Sequence, residues 1–333
     1  FASNISTDSL NGKYHVINIL SAKEKDVEKV EDCLQAQHCF SFDVKSMNSA
    51  IANHLSDDFN YIGFACGFIV FFFLWLSMGS IELAVLSFIP MAISWLWILG
   101  LMVIFHMQFN IVNIILATFI FGQGDDYTIF MTEGAMYEYA YRRKMLASYK
   151  HSIIISALIM FIGIGTLIVA RHPALRSLAE VTIAGMFSVV LMAYIFPPLI
   201  FNWLVKHKGE YRVRPLSLQM LFRRRKEGVA YYHDLVLDRY RYKGVEVFST
   251  VKRNLRRNRD YQAWMEQQDT SQPVIIPSAG YGEKVLLFAL LHPETKVIAV
   301  ETDPDKCRLM KFSMEGIVEN VEIINQAEIS RQM

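Results

Sequence analysis

Two adjacent aspartates stand inside an apolar stretch of this sequence. Asp125 and Asp126 occur in the segment FGQGDDYTIFM, and Tyr127 follows them directly. A carboxylic acid enclosed by apolar surroundings is costly to keep there, and it can bind a proton and release it again. A tyrosine hydroxyl offers such an acid a hydrogen-bond partner. These three residues are therefore the candidates for a proton relay.

Helical geometry separates the two carboxylates. Neighbouring residues of a helix point about 100° apart, so only one of the pair is expected to face a helix-bundle interior. The other is expected nearer to water or to a polar neighbour. Gly122 and Gly124, just before the pair, are small enough to let another membrane helix approach closely.

A second interpretation of this stretch stays open. In this interpretation the helix ends at Gly124, and both aspartates lie at the boundary between membrane and water. The apolar run from Phe109 to Gly124 is short enough to give this alternative weight. The segment TIFM follows the aspartates, however, and apolar character continues to about Met136. The relay is the favoured interpretation, with Glu133 and Glu138 as solvated residues near the end of the span.

A second set of residues has the types and spacing of a nucleoside site. The turn SAGYG contains Ser278, Gly280 and Gly282, and it follows a predicted strand and opens a predicted helix. Glycines there let a ligand approach the backbone, and the helix N-terminus favours polar or anionic groups. Glu301 ends the next strand about 20 residues on, where a carboxylate can accept hydrogen bonds from both ribose hydroxyls.

Alternating strands and helices surround this turn. The predicted order is strand, helix, strand, helix and strand, at Val274–Ile276, Glu283–Leu291, Lys296–Val300, Asp305–Glu315 and Val321–Ile324. Such alternation is typical of a parallel α/β sheet. The sequence ends soon after the third strand, so a truncated Rossmann-like domain is expected.

The hydropathy pattern predicts that the segment with the two aspartates lies in a membrane. Hydrophobic residues make up 53% of the 333 residues, concentrated in the middle of the chain. Crossing a bilayer takes about 20 apolar residues. Five stretches approach or meet that length, at Asn60–Ile81, Leu83–Phe105, from near Phe109 through the aspartates, Ser152–Ala170 and Val181–Val205. Four of them lack charge throughout, so five transmembrane helices are predicted.

Basic residues predict the orientation of these spans. Lys and Arg cluster between the third and fourth spans and again in the segment 206–226. Both clusters are expected on the cytoplasmic side. An odd number of spans then places residues 1–57 outside and the C-terminus inside.

The predicted domain division follows from these boundaries. Residues 1–57 contain a strand at Tyr14–Leu20 and helices at Lys25–Gln37 and Val44–Leu55, too little for an independent core. They are expected to end a larger α+β extracytoplasmic domain. Residues 58–205 form the membrane domain, 206–228 a basic linker that contacts anionic lipid, and 229–333 the α/β segment. The net charge of +1 gives no argument for nucleic acid, and the four cysteines have no metal-ligand spacing.

The segment GQGDDYTIF closely resembles the Gly-x-Gly-x-Asp-Tyr-x-x-Phe signature of the RND superfamily, in particular its MMPL-like branch of lipid and hydrophobe exporters. The resemblance covers about residues 1–205. It implies that Asp126 and Tyr127 are the proton-carrying pair in mid-membrane, with Asp125 in the preceding variable position. Each half of such a transporter has one helix, a large extracytoplasmic domain and five further helices.

This resemblance carries expectations about partners and location. The chain is similar to the second half of an MMPL-type permease in the inner membrane, driven by the proton gradient. A second copy of the motif is absent from the sequence. A first half is therefore expected as a partner, with a lipid or another hydrophobic molecule as cargo.

The C-terminal segment resembles class I S-adenosylmethionine-dependent methyltransferases. The glycine motif of that family maps to Ser278, Gly280 and Gly282, with serine in place of the usual first glycine, and the ribose-binding acid maps to Glu301. Nicotinamide dinucleotide is the rival cofactor, but position 285 is Val where a GxGxxG motif has its third glycine. The alternative function is therefore that of a membrane-anchored methyltransferase that binds S-adenosylmethionine.

Overall fold

The computed structural model describes residues 5–8, 13–16, 26–36, 39, 61, 64–105, 111–222, 228–256 and 259–326. The chain divides into two compact units, Phe1–Tyr61 and Ile62–Met333.

The first unit contains a hairpin and a helix. Strands β1 (Ile5–Asp8) and β2 (Lys13–Val16) are antiparallel, with Ile5 opposite Val16. Helix α1 (Val27–Ala36) is present where the amphipathic pattern predicts one. The predicted helix Val44–Leu55 and the second half of the predicted strand Tyr14–Leu20 lie outside the described residues.

Five helices follow in the second unit, near the predicted spans. They are α2 (Phe64–Met78), α3 (Ile81–Ile104), α4 (Ile111–Tyr141), α5 (Leu146–Gly165) and α6 (Pro173–Val205). Ser80 starts α3, because its hydroxyl accepts a hydrogen bond from the Leu83 amide. A 3-10 turn, Thr166–Val169, extends α5.

Three of these segments are long and apolar enough to cross a membrane: Ile81–Ile104, Leu146–Val169 and Leu175–Val205. Helix α2 is apolar but shorter, and α4 has 31 residues and carries the two aspartates. Large apolar side chains point outward, as with Phe64 on α2 and Ile162 on α5, which are 83% and 70% exposed. Polar side chains are buried inside the bundle instead, among them Ser87, Ser94, Thr128, Thr132, Thr182 and Ser188. A bundle that is apolar outside and polar inside is consistent with a membrane protein.

The loops at one end of the bundle meet each other. A short hairpin of β3 (Lys206–His207) and β4 (Glu210–Tyr211) follows α6, and helix α7 (Leu218–Phe222) comes next. Arg142, just after α4, lies over the ring of Tyr211 at 3.1 Å from its centroid. Glu82, at the start of α3, accepts a hydrogen bond from the Leu218 amide at 2.9 Å. We call this the basic end of the bundle, where the two basic segments meet.

The remaining chain forms an α/β segment. It begins with three helices, α8 (Val229–Tyr240), α9 (Val245–Arg256) and α10 (Arg259–Glu266). Three strands follow, β5 (Val274–Pro277), β6 (Val297–Glu301) and β7 (Val321–Asn325). Helix α11 (Glu283–Leu291) connects β5 to β6, and α12 (Pro304–Met314) connects β6 to β7. The three strands are parallel in the order β5-β6-β7. The predicted alternation of strands and helices is therefore present, with element boundaries shifted by at most one residue.

Helix α4 is shared between the bundle and the α/β segment. At 1.5 Å per residue its 31 residues span about 46 Å, more than the hydrocarbon core of about 30 Å. Its last turn enters the core of the α/β segment, where Ala140 is fully buried among residues of α8, α11 and the sheet. Conversely, Tyr242, which follows α8, packs in the bundle with Met78, Tyr139 and Phe201. The two parts are therefore joined through interlocking cores.

A buried arginine stabilises the junction between the bundle and the α/β segment. Arg239 on α8 is 4% exposed, and its guanidinium donates hydrogen bonds to five backbone carbonyls. Three of these carbonyls belong to the end of α12, at Ser313 (2.7 Å), Phe312 (3.2 Å) and Glu315. The other two belong to the segment 212–217 after β4, which we call the strap, at Arg212 (3.2 Å) and Val213 (3.3 Å). Burial, the largest influence, lowers the pKa of this guanidinium. A cation at a helix C-terminus also satisfies carbonyls that have no partner inside the helix.

A second buried cation lies beside it. The Lys243 ammonium group donates a hydrogen bond to the Ser313 hydroxyl at 2.6 Å. Burial lowers the pKa of Lys243 well below its usual value, and the positive charges of Arg239 and Arg142 act in the same direction. Burial and neighbouring positive charges both disfavour the charged form of a lysine.

Candidate functional site

Asp125 faces the interior of the helix bundle. Its side chain lies on the buried face of α4 and the residue is 8% exposed. Among the described residues, its Oδ1 atom has no hydrogen-bond partner. A buried carboxylate oxygen without a partner is rare in folded proteins, and it is typical of a group kept for function.

Asp126 lies on the other side of the same helix and is exposed. It belongs to an outward-facing stripe of α4 that we call the open stripe, formed by Gly122, Asp126, Phe130 and Glu133. The expected division of the two carboxylates is therefore present, with Asp125 as the enclosed one. The motif resemblance, by contrast, favours Asp126 as the proton carrier.

Tyr127 is 5% exposed and points towards α5. Its hydroxyl lies 3.2 Å from the hydroxyl of Ser156, and either oxygen can be the donor. Its partner is thus a serine on the next helix. Sequence reasoning missed Ser156, because the segment SIIIS does not show which of its residues comes level with Tyr127.

Small residues bring α4 close to its neighbours. A Cβ atom added to Gly124 would lie 3.2 Å from Val189 of α6 and 3.8 Å from Met91 of α3. One added to Gly134 would lie 2.8 Å from the ring of Tyr149 on α5. The predicted close approach is present at Gly124, while a Cβ at Gly122 meets no described atom within 4 Å. Asp125 is thus held where three helices converge, next to a tight contact with α3 and α6.

The glycine turn of the α/β segment has a strained backbone. Ser278, Gly280 and Gly282 have φ angles of 53°, 61° and 83°, the left-handed region that glycine tolerates best. A Cβ atom on Gly282 would lie 2.3 Å from the Met310 side chain, so α11 begins in direct contact with α12. A Cβ on Gly280 meets no described atom within 4 Å, which leaves space for a ligand beside its backbone.

Glu301 lies directly against this turn. Its Oε2 atom accepts a hydrogen bond from the Gly280 amide at 2.7 Å, and its Oε1 atom accepts one from the Thr302 amide at 2.9 Å. Burial, the largest influence, raises the pKa of the Glu301 carboxyl, but amide hydrogen bonds from Asp303, Gly280 and Thr302 together lower it below its usual value. The Glu301 carboxylate, an anionic hydrogen-bond acceptor, therefore lies beside the accessible backbone of Gly280.

Comparison with known proteins bears on the first of these two sites. A model of the MMPL family matches residues 17–229, which is more than half of the chain and includes both aspartates. No curated protein and no solved structure matches the chain.

Proposed function

Because the chain belongs to the MMPL family, which comprises transporters of the RND type, we propose that it is part of a proton-driven exporter of lipids or other hydrophobic molecules. The observation that carries this proposal is the enclosed Asp125 carboxylate, whose Oδ1 atom has no described partner. A carboxylate in such a place can take up a proton from one side and release it to the other when access alternates. Asp126 and Tyr127 complete the proposed relay.

The proposed membrane domain consists of the five helices α2–α6. Their exposed apolar side chains and buried hydroxyls support lipid around the bundle outside the open stripe. The clustered basic residues at the basic end favour the cytoplasmic side for it. Residues 1–57 then lie outside and the C-terminus inside, in the inner membrane of a bacterium.

The open stripe supports a second helical half as partner. Lipid does not tolerate a charged side chain such as that of Asp126 on the outer face of a membrane helix. A polar partner must therefore cover this face, and small residues such as Gly122 allow it to approach. We assign the cover to the other half of the permease, which would place Asp126 between the halves and Asp125 within this one.

Replacing Asp126 by asparagine tests this function. In vesicles containing the complete transporter, the Asp126→Asn variant is expected to lose export driven by a pH gradient, because an amide keeps the shape of the side chain but carries no titratable proton. Fluorescence of a pH-sensitive dye inside the vesicles measures the coupled proton flux. Glu133→Gln, on the same stripe of α4, is the matched control and should retain export. Undiminished proton-coupled export by Asp126→Asn would contradict the relay.

One observation favours a second function, S-adenosylmethionine binding by the α/β segment. The open Gly280 backbone and the neighbouring Glu301 carboxylate fit an adenosyl group and its ribose hydroxyls. The bound cofactor would supply a methyl group, and Glu301 would orient its ribose. Calorimetric titration of the complete protein with S-adenosylmethionine is expected to show binding that Glu301→Ala weakens by roughly tenfold or more. Equal binding heats from the wild type and the Glu301→Ala variant, or no binding heat from either, would contradict S-adenosylmethionine binding at this site.

A further inference from the structure

Four buried hydroxyl side chains lie on α3 and α4. Ser87 and Ser94 belong to α3, and Thr128 and Thr132 belong to α4. We call these four residues the hydroxyl seam. The hydroxyls of Ser87 and Thr132 lie 3.0 Å apart and form a hydrogen bond between the two helices. The Ser94 hydroxyl donates to the Pro90 carbonyl of its own helix at 2.7 Å.

The seam extends along the helices to the level of Asp125. Ser87 contacts Thr132, whereas Met91 lies beside Gly124, so α3 and α4 are antiparallel. Ser94 is seven residues beyond Ser87, and Asp125 is seven residues before Thr132. Both therefore lie about 10 Å further into the bundle, because each helical residue adds 1.5 Å.

Hydrogen bonds continue along α4 between these two levels. The Thr132 hydroxyl donates its one proton to the Thr128 carbonyl at 2.8 Å, so Ser87 is the donor in the bond that joins the two helices. The Thr128 hydroxyl donates to the Asp125 carbonyl at 2.9 Å. Bonds of this kind are common for threonine within helices and by themselves have a structural explanation. The bond between Ser87 and Thr132 joins two helices, and the free Oδ1 atom of Asp125 lies at the inner level of the same seam.

The other end of the seam reaches a small cavity at the basic end. Leu83 and Met136 lie one helical turn beyond Ser87 and Thr132, and both line this cavity together with Arg241 and Tyr242. Its volume is about 20 Å³, and a water molecule needs about 10–15 Å³. Leu83 and Met136 thus place this cavity about one helical turn from the level of the Ser87–Thr132 pair.

We propose that the hydroxyl seam is the route by which protons pass between Asp125 and the cavity at the basic end. The proposal rests on the proposed function, since it deepens the relay by assigning its access path on this side. A hydroxyl both accepts and donates a hydrogen bond, so it binds an arriving proton on its oxygen while its own proton leaves to the next oxygen. A backbone carbonyl has no proton of its own to pass on, so the proposed route uses single waters to carry the proton past the intervals where the threonine hydroxyls bond to carbonyls. The carboxylate of Asp125 ends as a neutral acid. Each step moves one proton and requires no other reactant.

The test removes the central hydroxyl pair from the complete transporter. In vesicles with an imposed pH gradient, the double variant Ser87→Ala, Thr132→Val is expected to slow proton flux by roughly tenfold or more, a loss in the range for a missing proton-transfer group. Thr132→Ser, which keeps a hydroxyl, should restore most of the flux when combined with native Ser87. Thr182→Val and Ser188→Ala on α6 are matched controls, because these hydroxyls are equally buried but bond only to the carbonyls of Leu178 and Ala184 on their own helix.

Measuring Asp125→Asn in the same vesicles separates the two proposals. If Asp125→Asn stops the flux while the seam variant matches the wild type, the seam is overturned and the exporter stands. If Asp125→Asn keeps full proton-coupled flux, the proposed relay through Asp125 falls and the seam with it. A seam variant slowed no more than the α6 controls also overturns the route. The thermal unfolding midpoint of each purified variant shows whether a slower flux reflects a folded protein. If the double variant does not fold, the single variants decide the matter, because Thr132→Val is expected to slow the flux and Thr132→Ser is not; equal flux from the two would overturn the route.

Discussion

Asp125→Asn is expected to reduce proton-coupled export to the level of empty vesicles without weakening the fold. Asparagine has nearly the shape of the acid, so the contacts of α4 with α3 and α6 beside Gly124 remain. It binds no titratable proton, and this removes the step that couples the gradient to transport. The aspartate itself is a burden on stability, since insertion scales place a charged residue at the centre of a membrane helix at a cost of about 2.5–3.5 kcal/mol.

Two measurements on the same preparation check this expectation. Dye-reported proton flux should disappear, while the unfolding midpoint in detergent should equal or exceed that of the wild type. Asp125→Glu keeps the acid and is the control that should retain part of the flux. A variant that transports normally, or one that loses transport only because its midpoint falls, would contradict the role of Asp125.

Arg239→Met is expected to destabilise the junction between the bundle and the α/β segment by about 3–5 kcal/mol, the range for breaking a buried charged network. Methionine fills much of the same volume, but the carbonyls that the guanidinium binds at the end of α12 and in the strap after β4 lose their donor. Buried carbonyls without a partner account for most of this loss. Lysine is not expected to rescue it, because an ammonium group cannot reach five carbonyls on two elements.

Proteolysis and thermal unfolding measure this effect. The strap at residues 212–217 should become susceptible to limited proteolysis, and the unfolding midpoint should fall by several degrees. Arg308→Met, at an exposed position on α12, is the matched control and should leave both unchanged. If Arg239→Met behaves like this control, the carbonyl cluster does not hold the junction.

Local features of the sequence were sufficient to predict most elements. The helix Glu283–Leu291 has its predicted bounds because Gly282 marks its start and an apolar run fills its length. Helix α12 begins after Asp303, whose side chain caps it and is followed by Pro304. The apolar runs likewise predicted α3 to within two residues at each end, and the end of α6 at Val205. Helix α6 begins at Pro173, eight residues before the predicted start at Val181, because its first two turns include the charged residues Arg176 and Glu180. Signals of this kind act within a few residues of the element they define.

Contacts between distant residues were not predictable in the same way. The contact between Tyr127 and Ser156 joins two helices, and the burial of Ala140 depends on a core formed by residues a hundred positions further on. Nothing in the residues next to Arg239 predicts its burial, yet its guanidinium is enclosed by backbone carbonyls. The pairing of residues across the fold decides each of these cases.

The sequence by itself determined that a pair of acids lies within apolar helices, because composition and the GQGDDYTIF motif are properties of consecutive residues. It also required that the two carboxylates point apart, since a helix allows nothing else. Only the tertiary structure decided that Asp125 is the enclosed one, because this depends on which face of α4 meets α3 and α6. The same packing aligned the hydroxyl seam with Asp125 and fixed the end of α4 inside the α/β segment, since burial is set by neighbours that are far away along the chain.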